Sequence, residues 1–368
     1  MRIALVGTRG IPAAYSGFET AVEHLAERFT ARGHEAVVYC RPHMTERHER
    51  WAGAELVHLP TVRSKHLDTL AHTFVSTLHL ATRRRPDVAL YFIAGNAPLV
   101  PLARLAGIPT ILQIDGLDSQ RAKWSGPARA YLRFAERIAP RAANITVTDS
   151  RAVADDYARR YGARIPAIPY GAELRDPGTD EWQRNLGVER GRFILFVGRL
   201  VPENNAHLLL EAYRRLQTDW PLVIVGDAPY ADAYIADLRA VAADLDVRLP
   251  GYVFGDGYAE LVHACGVMCA PTEVGGTHPV IVEAMAAGAP LVVSDHAPNL
   301  EVVGDAAATF PLAGGAAALA EAIAGLMADP ARRADLSARA AARTAERYSW
   351  DACADAYLRL CAALTERV

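Results

Sequence analysis

The sequence has no uninterrupted apolar run long enough to cross a bilayer. Its richest apolar region, residues 88–112, is broken by Asn96, Pro98, Pro101, Arg104 and Pro109, well short of the roughly 18 residues a spanning helix needs. Cysteine is scarce: Cys40, Cys265, Cys269, Cys353 and Cys361 are an odd number, sit in apolar contexts and form no C-x-x-C pair. That excludes a disulfide framework and argues against a zinc or redox centre, leaving reduced core thiols. No basic stripe carries interleaved aromatics, and the isoelectric point is near 6.5, which argues against nucleic acid. Met1 is followed at once by Arg2 and a strand-like I-A-L-V, so no signal peptide is expected and the cytoplasm is the expected compartment, with peripheral attachment to the cytoplasmic face of the membrane left open.

What is present is length and a divided charge. The 368 residues, 51% hydrophobic, suffice for two domains with separate cores. The net charge of −3 splits into 25 Lys+Arg against 19 Asp+Glu in residues 1–185 (+6), and 14 against 23 in residues 186–368 (−9). The excess peaks between Leu59 and Arg141, where 12 basic residues face 5 acidic ones. A basic first half suits an anionic surface or substrate.

The chain opens as strand (R-I-A-L-V-G), glycine loop (T-R-G-I-P-A-A-Y-S-G), helix with Phe18, Val22, Leu25 and Phe29 on one face, a Gly33 stop and a second strand. This is the start of a doubly wound α/β sheet. Gly7, Gly10 and Gly17 do not match G-x-G-x-x-G, which disfavours a nicotinamide enzyme. Further strands are expected at 54–59, 88–93, 110–114 and 145–148. The intervening stretch 67–85 reads as a helix with Leu70, Phe74, Leu78 and Ala81 on one face and Arg83-Arg84-Arg85 at its end. It suits a surface helix with a dipole-matched C-terminus, or membrane contact. The polar stretch 173–191 predicts a domain boundary. A second strand–helix series follows, then two terminal helices, 331–348 and 350–365.

The expected fold is α/β, two Rossmann-like domains facing a cleft, at 1–185 and 186–347, with a last helix, 348–368, that crosses back onto the first domain. The chain is organised around Pro271–Pro290, P-T-E-V-G-G-T-H-P-V-I-V-E-A-M-A-A-G-A-P. A buried strand, expected over 266–272, runs into a Gly-Gly-Thr loop and then a helix whose first turn would carry Glu283. Free N–H groups and the positive end of the helix dipole suit a phosphate or sugar hydroxyl. An ordinary αβ connection has the same composition.

Gly198-Arg199-Leu-Val-Pro-Glu203, Val225-Gly226-Asp227, Gly251-Tyr252-Val253, the 271–290 stretch and Tyr348-Ser349-Trp350 together resemble a GT-B glycosyltransferase of retaining family 4. The opening G-T-R-G-I-P-A-x-Y-S-G-F-E-T, D-G-L-D-x-x-R-x-K-W-S, G-R-L-V-P-E-N-N and V-G-G-T-H-P-V-I-V-E-A-M resemble a narrower branch. Its members transfer L-rhamnose from dTDP-rhamnose to a lipid-linked sugar in polysaccharide assembly. The resemblance implies that Glu283 holds the nucleotide ribose, that Gly275, Gly276, Thr277 and His278 bond the donor sugar and phosphate, and that Arg199 neutralises the leaving diphosphate. It implies that Gly10 and Gly17 shape the first-domain loop near the phosphates and that Tyr252 and Val253 border the base. Asp115 and Asp118 are candidates for orienting the acceptor, or turn-formers beside Gly116. Arg121, Lys123 and Arg129, near Trp124 and Tyr131, are candidates for docking a pyrophosphate-lipid acceptor at the membrane, or a solvated face.

Three positions depart from the family pattern. Relatives carry two glutamates with seven residues between them, which puts Gly275 at the first position; the lysine that accompanies Arg199 is Asn204; and the first-domain histidine is absent, the strand end reading Gln113-Ile-Asp115-Gly116. A 6-deoxy sugar has no O6 for a histidine to hold, so Asp115 there is compatible with rhamnose, and the narrower branch shows the same substitutions. The implied chemistry is retaining transfer with a nucleotide sugar as substrate, no metal and no other cofactor. Alternatives are the same fold with a UDP- or GDP-hexose, or a non-catalytic nucleotide-sugar-binding scaffold.

Overall fold

A computed structural model describes every residue except 14–16, 65–66, 117, 121–123, 125, 229–230 and 367–368. The chain forms two compact units, one of Met1–Gly171 with Trp350–Val368, the other of Ala172–Ser349. The first begins β1 (Arg2–Val6), α1 (Gly17–Ala31), β2 (Glu35–Cys40), β3 (Arg50–Trp51), β4 (Ala54–His58), α2 (Asp68–Thr82), β5 (Val88–Phe92) and α3 (Val100–Leu105). It continues β6 (Thr110–Ile114), α4 (Gly126–Ala142), β7 (Ile145–Thr148) and α5 (Arg151–Tyr161). Its sheet has the order β3-β4-β2-β1-β5-β6-β7, parallel except for the short hairpin strand β3. Parallel strands are covered on both faces and therefore read as continuous apolar runs; V-A-L-Y-F of β5 is buried at every position.

The second unit holds α6 (Glu181–Leu186), β8 (Ile194–Val197), α7 (Ala206–Leu216), β9 (Leu222–Val225), α8 (Asp232–Ala242), β10 (Val247–Gly251) and α9 (Gly255–Ala264). Then follow β11 (Val267–Ala270), α10 (Pro279–Ala286), β12 (Leu291–Ser294), α11 (Ala297–Val303), β13 (Ala308–Phe310), α12 (Gly315–Ala328) and α13 (Pro330–Arg347). All six strands are parallel, in the order β10-β9-β8-β11-β12-β13. The last helix, α14 (Trp350–Thr365), belongs to the first unit. Cys353, Tyr357 and Cys361 enter the core beneath α1, and Arg32 pairs with Asp351 at 2.8 Å and Asp355 at 2.9 Å. Trp350 stacks on His24, ring centroids 4.5 Å apart, and burial with the nearby Arg28 lowers the His24 pKa to about 4.

The chain leaves the first unit at Gly171, earlier than the boundary at 185 read from the polar stretch. The reason is a buried anchor hidden in polar sequence. Trp182 packs against Gly257, where a Cβ would lie 2.3 Å from the indole nitrogen. The buried Glu260 accepts from the Gln183 amide at 2.8 Å and the Thr179 hydroxyl at 2.7 Å. The return likewise falls after Ser349 rather than at 347. All five cysteines are buried free thiols. No single helix among the described residues is long and apolar enough to cross a membrane.

Candidate functional site

In a doubly wound sheet, ligands bind beyond the strand ends where the winding direction reverses. In the second unit that point lies between β8 and β11, since the chain winds outward to β9 and β10 before β11 pairs on the other side of β8. β8 ends in Gly198-Arg199, and β11 ends in the loop 271–278. Two bonds across the switch lace these segments together: the Asn205 side-chain amide donates to Pro271 O (2.9 Å) and Glu273 N to Glu203 O (3.1 Å). The Asn204 amide turns back to Arg199 O at 2.8 Å, so its recorded bond supports the arginine loop from within. Arg199 itself is half-buried.

The loop 271–278 is held from beneath. Asn299, buried, donates to the hydroxyls of Thr272 (3.0 Å) and Ser294 (2.9 Å), and its carbonyl lies 3.1 Å from His278 Nδ1. Ser294 donates to Thr272 O, and the His296 ring meets Gly275 O at 3.0 Å. No hydrogen bond among the described residues takes up the N–H of Gly275 or Gly276, although Gly276 is buried. Gly275 beside it is half-buried. Gly275 has φ +136°, and a Cβ there would meet His278 Nε2 at 2.9 Å. In this backbone conformation a glutamate would be both strained and in collision.

α10 starts at Pro279, with His278 as an N-cap that makes no side-chain cap bond. Glu283 therefore sits one turn into the helix rather than in its first turn. Its Oε2 accepts from the Tyr258 hydroxyl at 2.6 Å. Burial raises the Glu283 pKa above its ordinary value, and the Tyr258 bond opposes that shift. Tyr258 was not legible as a site residue; only its place on α9 beside α10 brings it in. Beyond β10, Tyr252 is exposed and stacked on Phe254 (5.4 Å, 20° between planes), whereas Val253 is buried. All these strand ends share one edge because every strand is parallel.

In the first unit the winding reverses between β1 and β5. Gly7, φ +104°, crosses there against Asn96, whose amide donates to Phe92 O (2.8 Å) and Gly7 O (3.3 Å). A Cβ on Gly7 would lie 2.7 Å from that amide. Asn96 Oδ1 is buried without a partner. Gly10 lies against Cys40, and Gly17 opens α1. Two carboxylates on α1 hold the loop: Glu19 accepts from Arg9 N at 2.9 Å and Glu23 from Ala13 N at 2.8 Å. Both escaped the sequence reading, although acids just past a glycine loop were the available signal.

Asp115 follows β6 and is half-buried; Asp118 opens a 3-10 turn. Next to them the buried Glu136 accepts from Ser119 N and Oγ, each at 2.8 Å, and burial, reinforced by Asp118, raises its pKa. Gln113 is fully buried and donates to the Tyr170 hydroxyl at 2.9 Å. Of the basic set, Arg121 and Lys123 lie outside the described residues; Arg129 is half-buried on α4, and Tyr131 donates inward to Gly95 O at 2.8 Å. Among the described residues no group of three or more His, Cys, Asp or Glu side chains is arranged to hold a metal ion.

Comparison with known proteins matches these two halves separately. Residues 16–171 fit the Glycosyl transferase 4-like domain and residues 178–343 fit Glycosyl transferases group 1. Glycogen synthase of Mycobacterium tuberculosis is 26% identical over 394 aligned residues, covering 97% of this chain and 93% of its own. The phosphatidyl-myo-inositol mannosyltransferase of Mycolicibacterium smegmatis is 33% identical over 54% of this chain and 53% of its own. Among solved structures, Anabaena HepE in complex with UDP and glucose superposes with a TM-score of 0.80 at 19% identity, covering 99% of this chain and 100% of its own. With both family domains in order on two parallel-sheet units, the chain is a glycosyltransferase enzyme of the GT-B fold, a member of the group 1 and 4-like families.

Proposed function

We propose that the protein is a retaining glycosyltransferase that moves L-rhamnose from dTDP-rhamnose onto a lipid-pyrophosphate-linked saccharide. The observation that carries the donor half is the β8–β11 switch point: Arg199 on one side, the unpaired amides of Gly275 and Gly276 on the other, Glu283 behind. Arg199 neutralises the charge that grows on the departing diphosphate, and the two amides hydrogen-bond the same oxygens or the sugar. Glu283, with one oxygen fixed by Tyr258, offers the other to the 3′-hydroxyl of the deoxyribose. The acceptor hydroxyl attacks the anomeric carbon on the face the diphosphate leaves; the carbon–oxygen bond to phosphate breaks and the released phosphate takes the hydroxyl proton. Asp115 and Asp118 orient that acceptor. Rhamnose is supported by the branch motifs and by Gly275, where backbone replaces the carboxylate that a hexose hydroxyl would use.

A second reading, the same chemistry with a UDP-hexose, is favoured by the UDP and glucose bound in HepE. A thermal-shift panel with dTDP, UDP and GDP separates the two, because a ligand at a hundredfold its Kd stabilises by about 2.7 kcal/mol. Stabilisation by dTDP alone is the expected result. Stabilisation by UDP and not dTDP refutes rhamnose transfer, and nucleotide binding without transfer from any donor to a lipid-pyrophosphate acceptor refutes the reaction.

A further inference from the structure

α2 divides its apolar residues between the core and the surface. Its buried residues are His72, Thr73, Ser76, Thr77 and Leu80. His72 Nε2 meets Cys40 O at 3.1 Å, and the Thr77 and Tyr91 hydroxyls pair at 2.9 Å. Of the apolar line read from the sequence, Leu70 and Ala81 are half-buried, whereas Phe74 is 43% exposed and Leu78 47%. The adjacent α3 adds Leu102 at 37% and Leu105 at 85%. A helix normally puts its apolar stripe into the core, and here polar side chains share the core side with Leu80. Large side chains in water on two neighbouring helices mark an interaction surface.

Charge selects the occupant. Residues 62–105 contain six Lys and Arg and two Asp. Both acids are engaged, Asp68 by Arg41 at 3.0 Å and Asp87 by Arg2 N at 2.7 Å. Arg63, Arg83 and Arg104 are exposed. Exposed apolar residues and exposed cations on the same helices and their flanks fit a surface that is apolar inside and anionic at its rim. We infer that the outward faces of α2 and α3 dock this protein on an anionic lipid bilayer. The inference rests on the proposed lipid-linked acceptor and names the surface that brings the enzyme to it, in place of the set at 121–131.

Co-sedimentation of the full chain with acceptor-free vesicles tests it, using phosphatidylglycerol–phosphatidylcholine mixtures against phosphatidylcholine alone. Binding to the anionic vesicles that falls as salt is raised is expected, with at least tenfold weaker partition for Phe74→Ser/Leu78→Ser and for Arg63→Ser/Arg83→Ser. The dTDP-induced thermal shift of each variant should stay as in the wild type, which shows that the units remain folded. Equal partition of wild type and variants overturns the inference. So does loss of a dimer in light scattering with unchanged vesicle binding, which would make the face a contact between copies. Because the vesicles carry no acceptor, failure of transfer to a lipid-pyrophosphate leaves this result independent of the proposed reaction.

Discussion

Glu283→Gln separates the functional charge from the structural side chain. A carboxylate hydrogen bond to a hydroxyl contributes about 1.5–3 kcal/mol and its neutral counterpart about 0.5–1.5. The single free hydroxyl of the dTDP deoxyribose then loses about 1 kcal/mol of contact, or roughly fivefold in affinity. The fold should not suffer. Burial raises the Glu283 pKa, so the stability this group contributes is present below its unfolded pKa and lost as pH rises through the folded value. The glutamine, neutral throughout and able to accept from Tyr258, should melt at pH 7 at the same temperature or higher. Isothermal titration with the nucleotide and calorimetric melting at pH 7 read the two effects. Donor affinity of the wild type should also weaken as pH falls through the raised pKa, while that of the glutamine variant stays flat. Unchanged affinity, or a melting point lowered in step with activity, would refute the assigned role.

Arg199→Ala should reduce kcat about 10²–10³-fold, the loss seen when one electrostatic stabiliser is removed, with an unchanged melting curve; near-normal turnover would sink the role. Gly275→Ala places a Cβ at 2.9 Å from His278 with φ +136°, a strain of about 1–3 kcal/mol, and should abolish nucleotide-induced stabilisation as the two amides are displaced. Glu19→Ala orphans Arg9 N, which should cost about 1–3 kcal/mol and lower the melting point of the first unit, whereas Glu19→Gln, still an acceptor, should restore most of it.

Strand positions were legible wherever a strand is buried on both faces, because a parallel strand must then be written in apolar residues, as at β1, β5 and β11. The hairpin strand β3 and the edge strand β13 were missed: two and three residues long, they carry too little periodicity to register. The boundary was misplaced for a related reason, since the polar composition of 173–191 hides the one tryptophan and the hydrogen bonds to Glu260 that bind it to the second unit. In the proposed site, Arg199, Gly275 and Glu283 were named from the family resemblance of their motifs, since no local periodicity marks a ligand contact.

Chain order alone determined the sheet class, the two-unit plan and the identity of the loop at 271–278, since each rests on local pattern: apolar runs, glycine stops and short motifs. Tertiary structure decided what those residues meet. Asn204 turned inward to its own loop, Tyr258 came to Glu283 from another helix, and α2 put its hydroxyls inside and its phenylalanine outside. Periodicity reports that a helix has two faces, but which face is covered depends on partners distant in sequence, and only packing supplies them.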